Sequence, residues 1–149
     1  MAECKNIMVY VETAEGNPVK VGLEMLSPAK KLADKVTAVV IGGGVADAAK
    51  EVAKAGADQV ICVDSEDYKE FNLDAYAQVL VELVKEENPE AVFVGGTQDG
   101  KDIAPVVAAK CNTGCASDVL DIKAEDGEVI YTCPLYGGTV LEEDRKSVV

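Results

Sequence analysis

The chain has 149 residues, of which 48% are hydrophobic, and its 27 acidic and 14 basic side chains give a formal net charge of −13 at pH 7. This length suits one domain with a single core, built mainly from Val, Ile, Leu and Ala because Trp is absent. The charge disfavours nucleic acid as a partner, and the lack of an apolar run of roughly 20 residues disfavours membrane insertion.

Strand and helix patterns alternate as in consecutive β-α-β units, which predicts a mostly parallel sheet. In chain order, the patterns predict a strand over 7–11, a helix over 23–33, a strand over 36–41, a helix from 45 that stops at Gly56, a strand over 59–63, a helix capped by Asn72 that ends before Asn88, and a strand over 91–94. Pro28 leaves two alternatives for the first helix: a start at Pro28 with Ser27 as the cap, or a kink.

The last third of the chain shows a different pattern. A helix is predicted to begin near Asp102, whose side chain would cap it, because Pro105 is tolerated only in a first turn. Two strand-like runs, over 115–122 and 129–135, flank an Asp-Gly pair at 126–127, which indicates a hairpin. The predicted fold is therefore a three-layer α/β domain with a mostly parallel sheet, helices on both faces and an antiparallel hairpin at one side.

The five cysteines are odd in number and irregularly spaced, which argues against a disulfide framework and favours a reducing compartment. Together with the absence of a signal-peptide pattern, this predicts a cytoplasmic protein. Cys4, Cys62 and Cys133 lie in apolar strand-like runs and are predicted to be buried thiols. Because the chain has no His, we predict no metal site and no catalytic triad of the common form, and we expect a protein that is not an enzyme.

Two glycine-rich loops lie where this fold class binds ligands, at the carboxyl ends of strands. The loop over 42–47 lacks the third glycine of a dinucleotide fingerprint and has Asp47 where a phosphate would sit, so a tight strand-to-helix turn is predicted. The loop over 95–102 has the glycine and lysine spacing of a phosphate-binding P-loop, but Asp102 replaces the Ser or Thr that binds magnesium. Nucleotide hydrolysis is therefore not predicted.

Several segments carry, in a fixed order, a resemblance to a known family. They are the strand over 7–12, Ala-Lys-Lys-Leu-Ala-Asp at 29–34, Ala-Gly-Ala-Asp-Gln-Val at 55–60, Gly-Thr-Gln-Asp-Gly-Lys-Asp-Ile-Ala-Pro at 96–105, Ser-Asp-Val at 117–119 and Tyr-Thr-Cys-Pro-Leu-Tyr-Gly-Gly at 131–138. On these segments the chain resembles the N-terminal domain of the alpha subunit of electron-transfer flavoproteins. The family often has Arg where this chain has Cys133, so no contact of that arginine is carried over.

The resemblance implies an adenine-nucleotide-hydrolase-like α/β domain that pairs with an electron-transfer flavoprotein beta subunit. The two would form a base beneath a separate C-terminal alpha domain that carries most of the FAD contacts. The complete complex would bind FAD and accept electrons from a partner dehydrogenase. This chain would supply orientation and partner surface, and by itself it is expected to bind no FAD.

The resemblance also suggests site residues and a domain boundary. Gly96, Thr97, Gly100, Lys101 and Asp102 form a candidate loop that faces the cofactor or the beta subunit. Residues 1–138 are predicted to form the domain, and 139–149 a linker toward a further domain.

Two other interpretations remain open from the residues. The first is a nucleotide-binding module that stands alone and resembles universal stress proteins, suggested by the same sheet and the loop over 95–101. The second is a flavodoxin-like enzyme, although the hydroxyl-rich phosphate loops of that class are lacking. Tyr10, Tyr76 and Tyr136 are predicted to pack in a core or an interface rather than on a flavin or adenine.

Overall fold

The computed structural model describes residues 4–112, 114–119, 121–125, 128–132 and 138–142, with side chains for 5–112. The strands are β1 Cys4–Tyr10, β2 Thr13–Ala14, β3 Asn17–Pro18, β4 Ala33–Gly42, β5 Gln59–Asp64, β6 Ala91–Val94, β7 Gly114–Val119, β8 Asp121–Glu125, β9 Glu128–Thr132 and β10 Gly138–Glu142. The helices are α1 Lys20–Glu24, α2 Leu26–Leu32, α3 Ala46–Lys54, α4 Leu73–Glu87 and α5 Gln98–Lys110, with a 3-10 turn at Glu66–Tyr68.

The main sheet has six strands in the order β5-β4-β1-β6-β10-β7. The first four of these are parallel, with Ile7 of β1 opposite Val36 of β4 and Ala91 of β6, whereas β10 is antiparallel to both of its neighbours. A separate antiparallel pair, β8 and β9, flanks 126–127. The predicted α/β class is therefore confirmed, but the predicted hairpin forms its own two-stranded sheet, and the antiparallel strands at the edge of the main sheet are β10 and β7.

Alternate residues of β1 serve the two faces of the sheet. Ile7 and Val9 belong to the core under α2 and α3, whereas Met8 and Tyr10 belong to the core under α4 and α5. All four side chains are at most 2% exposed. A strand covered on both faces favours apolar residues at successive positions, which explains the four apolar residues of β6 and the apolar run over 38–41 in β4. No helix among the described residues has the length and apolar character needed to cross a membrane.

The first predicted helix is two helices, α1 and α2, with a break at Met25. Pro28 lies in the first turn of α2, where the missing amide has no helical partner in any case. Helix α4 agrees closely with prediction, since the Asn72 side chain accepts a 3.0 Å bond from the Ala75 amide and Asn88 ends the helix with a left-handed φ of 48°.

The predicted start of α5 is wrong. The helix begins at Gln98, and its cap is Thr97, whose hydroxyl accepts a 3.0 Å bond from the Gly100 amide. Asp102 is therefore not the cap, and Pro105 lies in the helix interior. The sequence rule failed because packing of α5 over β6 and β10 offsets the hydrogen bond that Pro105 cannot make.

Strand β10 pairs with β6 and β7, which are distant in sequence, and the predicted domain boundary at 138 stays a prediction. The predicted burial of Cys62 needs correction. Cys62 is exposed, because β5 is the edge strand of the main sheet among the described residues. The side chains of Cys4 and Cys133 lie outside the described residues, as does the structure of 143–149 within the predicted linker.

The Ala-Gly-Ala-Asp segment at 55–58 ties α3 to β4. Gly56 follows α3 with a φ of 122°, which glycine adopts easily, and the Asp58 carboxylate accepts 2.8 Å bonds from the Val36 amide and the Lys30 ammonium. These two bonds hold the pKa of Asp58 below its usual range, and the bond from Lys30 is the larger cause.

We expect Asp58→Ala to lower the free energy of unfolding by about 1 kcal/mol at neutral pH, mainly because the Val36 amide loses its partner and the exposed ion pair adds little. A depressed carboxyl pKa stabilises the fold above the ordinary Asp pKa, so the difference should shrink as the pH falls through the folded-state value. Urea unfolding at several pH values measures this. Asp47→Asn, an exposed acid on α3, is the control, and an equal loss in both variants would contradict the assignment.

Candidate functional site

A crevice of about 400 Å³ opens at the carboxyl-terminal ends of β1 and β4. We call it the strand-end crevice, and Tyr10, Ile41 and the glycine loop 42–44 are among its lining residues. The chain passes from β1 to helices on one face of the sheet and from β6 to α5 on the other face. The neighbouring ends of β1 and β6 are therefore the topological switch point, where open α/β sheets bind their ligands.

The first glycine loop is a tight turn, as predicted. Gly44 has a φ of 71°, and its amide donates a 2.7 Å bond to the Asp64 carboxylate. A Cβ atom on Gly42 would lie 2.6 Å from a methyl group of Val45. The glycines therefore allow the chain to reverse directly from β4 into α3, which begins at Ala46 with Asp47 in its first turn.

The second glycine loop has two of its amides bonded within the loop itself, although its spacing resembles a P-loop. The Gly100 amide donates to the Thr97 hydroxyl, and the Lys101 amide donates a 2.9 Å bond to the Thr97 carbonyl. These amides are therefore used within the first turn of α5. Gly100 is needed for packing, because a Cβ atom there would lie 2.0 Å from the Gly95 carbonyl oxygen.

The five residues predicted from the resemblance lie beside the strand-end crevice, and none of them is among its described lining residues. Gly96 and Thr97 are partly buried, Gly100 is buried, and Lys101 and Asp102 are exposed on α5. Asp102 accepts a 3.3 Å bond from the Gln98 amide group. That these residues face a cofactor or a partner subunit stays a prediction.

Glu12 connects the loop that follows β1 with the loop that follows β6, at the switch point. Its carboxylate follows β1 and accepts a hydrogen bond from the Thr97 hydroxyl at the start of α5. Burial raises the pKa of Glu12, the bond from Thr97 opposes that rise, and the neighbouring Asp99 carboxylate adds to it. Glu12 and Asp99 were not found from the sequence, although each lies two residues after the end of a strand or after a helix cap and so had a positional signal. Their negative charges lie where this fold class would bind a phosphate.

Aromatic side chains form another part of the lining. Tyr76 donates its hydroxyl to the Tyr68 carbonyl and packs edge-on against Phe71, with ring centroids 5.0 Å apart. Tyr10 is 2% exposed, and burial, followed by the nearby Glu12 carboxylate, raises its pKa. Burial of Tyr10 and Tyr76 confirms the predicted core packing, whereas Tyr136 lies outside the described residues.

We expect Glu12→Gln to stabilise the fold at neutral pH by about 1 kcal/mol, because it removes one of two like charges at a partly desolvated site. A raised carboxyl pKa contributes stability that is present at low pH and is lost as the pH rises through the folded-state pKa. The variant should therefore be more stable than the parent chain at neutral pH, and the two should be equally stable at a pH low enough to protonate Glu12. Urea unfolding at several pH values, from neutral to acidic, tests whether the variant is the more stable chain. Glu51→Gln, which changes an exposed acid on α3, is the control. A destabilised Glu12→Gln at neutral pH would contradict it.

Comparison with known proteins agrees with the fold. The model of the electron transfer flavoprotein domain family matches residues 7–148. The chain is 37% identical over 147 residues to the protein FixB of Clostridium saccharobutylicum and 36% identical over 146 residues to the electron transfer flavoprotein subunit alpha of Clostridium acetobutylicum. These alignments cover 95% and 94% of this chain, and each covers 44% of the relative.

A third relative is the acryloyl-CoA reductase electron transfer subunit beta of Anaerotignum propionicum, 38% identical over 165 residues that cover 92% of this chain and 45% of the relative. The chain thus spans less than half the length of these curated relatives and aligns with their N-terminal part. This α/β domain belongs to the electron transfer flavoprotein domain family.

Proposed function

We propose that this chain is the N-terminal scaffold domain of an electron-transfer flavoprotein alpha subunit, which helps to position FAD and the beta subunit. One observation carries the proposal: the family match extends over 7–148, and the relatives aligned along almost all of this chain include several named alpha subunits. In this role the domain is a structural part of an electron carrier rather than an enzyme. FAD would be held mainly by alpha-subunit segments beyond these 149 residues.

The strand-end crevice favours this function over a nucleotide-binding module. A phosphate at the start of α5 would need unpaired amides and a positive field. The Gly100 and Lys101 amides are instead bonded to Thr97, and the Thr97 hydroxyl donates its hydrogen bond to the Glu12 carboxylate. Asp99 adds a second acid in the first turn of the helix. An ATP or AMP titration of the isolated chain should therefore show no tight magnesium-dependent binding.

The loop predicted from the resemblance supplies an exposed surface for this role. Lys101 and Asp102 point away from the core, and the buried Gly100 and capping Thr97 hold them in place at the start of α5. We propose that this surface faces FAD or the beta subunit in the assembled complex. A partner dehydrogenase would then bind the complex and pass it electrons.

Co-expression tests the proposed function. The chain would be produced with the beta subunit from the same genome and with the remaining alpha segment, and the expected product is one yellow complex that contains FAD and all three parts. Lys101→Glu should weaken assembly, whereas Lys54→Glu, at the exposed end of α3, should not. A complex that forms and retains FAD equally well without this chain would overturn the proposal.

A further inference from the structure

The strand-end crevice carries an uncompensated negative charge. Glu12, Glu15 and Asp99 line it together with a single cationic residue, Lys69, so three negative charges face one positive charge, a formal excess of two negative charges. Lys69 is exposed, and it forms no ion pair with any described residue. Carboxylates collected in a concavity without counter-ions attract a cation from solution or from a partner.

Tyr10 provides a second, independent observation. It lines the same crevice and is 2% exposed, yet its hydroxyl makes no hydrogen bond with any residue in the described part of the chain. Buried hydroxyl groups are nearly always bonded, so this one has capacity for a bond to something that enters the crevice. The neighbouring Tyr76 differs, because its hydroxyl donates to the Tyr68 carbonyl.

The apolar part of the crevice lining favours an organic cation over a small metal ion. Phe71 and Tyr76 present aromatic rings that pack edge to face, and Ile41 adds an aliphatic surface. Aromatic rings attract organic cations and pack well on their alkyl stems, whereas a small metal ion would gain nothing from them. A planar guanidinium can also donate its N–H groups to two carboxylates and a phenol oxygen at the same time.

We propose that the strand-end crevice binds a guanidinium or primary ammonium group carried on a short apolar stem, with Glu12 and Asp99 as its anionic partners and the Tyr10 hydroxyl as a neutral one. The group can belong to a free small molecule or to an Arg or Lys side chain of a protein partner. This inference rests on the described lining of the crevice and does not depend on the proposed electron-transfer function.

The direct test uses n-butylguanidinium as the probe and n-butylurea as its uncharged counterpart. Because the chain has no Trp, the fluorescence of its five tyrosines, which include Tyr10 and Tyr76, can be followed directly, and the crevice variants below assign the change to the site. The titration is performed at about 0.15 M salt to screen attraction to the acidic surface. We expect saturable binding of n-butylguanidinium and at least about 10-fold weaker binding of n-butylurea. Absence of saturable binding, as for a crevice filled only by water, would overturn the proposal.

Three variants locate the binding site. Glu12→Gln and Asp99→Asn should each weaken binding of the probe about 10-fold, and Tyr10→Phe should weaken it by a smaller factor. Asp47→Asn and Glu51→Gln change exposed acids of α3 that do not line the crevice, and they should leave the affinity unchanged. Circular dichroism checks that each variant is folded. Equal losses in crevice and control variants would show nonspecific attraction to the acidic chain and sink the proposal.

A second arm distinguishes the two sources of the group. The same titration is repeated on the chain assembled with the beta subunit. Loss of n-butylguanidinium binding in the assembly would show that a side chain of the partner fills the crevice, and retention would identify a free small cation as the ligand. Failure of assembly would count against the proposed function alone, because the first arm uses the isolated chain.

Discussion

Replacing Gly100 with Ala is expected to destabilise the fold by about 3 kcal/mol, the largest effect we expect from a change of one methyl group in this chain. The added Cβ atom would lie 2.0 Å from the Gly95 carbonyl oxygen, a backbone atom that cannot rotate away. The start of α5 would have to move away from the end of β6. The sign is informative, because Gly→Ala inside a helix ordinarily stabilises a protein by up to about 1 kcal/mol.

Urea unfolding of Gly100→Ala beside Lys101→Ala gives the comparison. Lys101 is exposed in the same helical turn, so its replacement should change stability by less than about 0.5 kcal/mol. A Gly100→Ala chain as stable as the parent would show that the close approach of Gly100 to Gly95 is not required. The presence of glycine at position 100 would then have to be explained by contacts with a ligand.

Replacing Thr97 with Val is expected to cost about 2 kcal/mol. The hydroxyl caps α5 through the Gly100 amide and also donates to the Glu12 carboxylate, so its loss removes a helix cap and leaves a partly buried acid without its donor. Because the Thr97 bond opposes the rise in the pKa of Glu12, that pKa should increase further in the variant. Unfolding experiments measure the stability, and a carboxyl titration by NMR follows Glu12.

Thr97→Ser is the matched control, since it keeps the hydroxyl and should retain most of the stability. Glu12→Gln combined with Thr97→Val closes a double-mutant cycle, in which the loss caused by Thr97→Val should be smaller because no ionised carboxylate is left unpaired. If Ser and Val at position 97 destabilise the chain equally, the hydroxyl has no role at the switch point.

The segment over 96–105 has structural roles that its sequence pattern alone does not reveal. Its glycine and lysine spacing resembles a phosphate loop, but Gly100 serves close packing and Thr97 serves capping and the bond to Glu12. These contacts fix the position of the exposed Lys101 and Asp102 relative to the sheet. This gives the motif a structural reason that requires no bound nucleotide.

Local signals in the sequence were sufficient for most of the elements in the first two thirds of the chain. Asn72 and Asn88 mark the ends of α4, and Gly56 marks the end of α3, because a cap or a left-handed residue acts within one turn of its own helix. The apolar runs of β4 and β6 likewise predicted strands covered on both faces, and hence the α/β class.

Long-range pairing decided the rest. Thr97 and Glu12 are 85 residues apart and meet only because β1 and β6 are parallel neighbours, so the acidic crevice has no local signature. The exposure of Cys62 and the place of β10 within the sheet depend on strand order in the same way. Residue patterns report which segments can be strands or helices, whereas the free energy of packing those segments together determines which strand ends become neighbours.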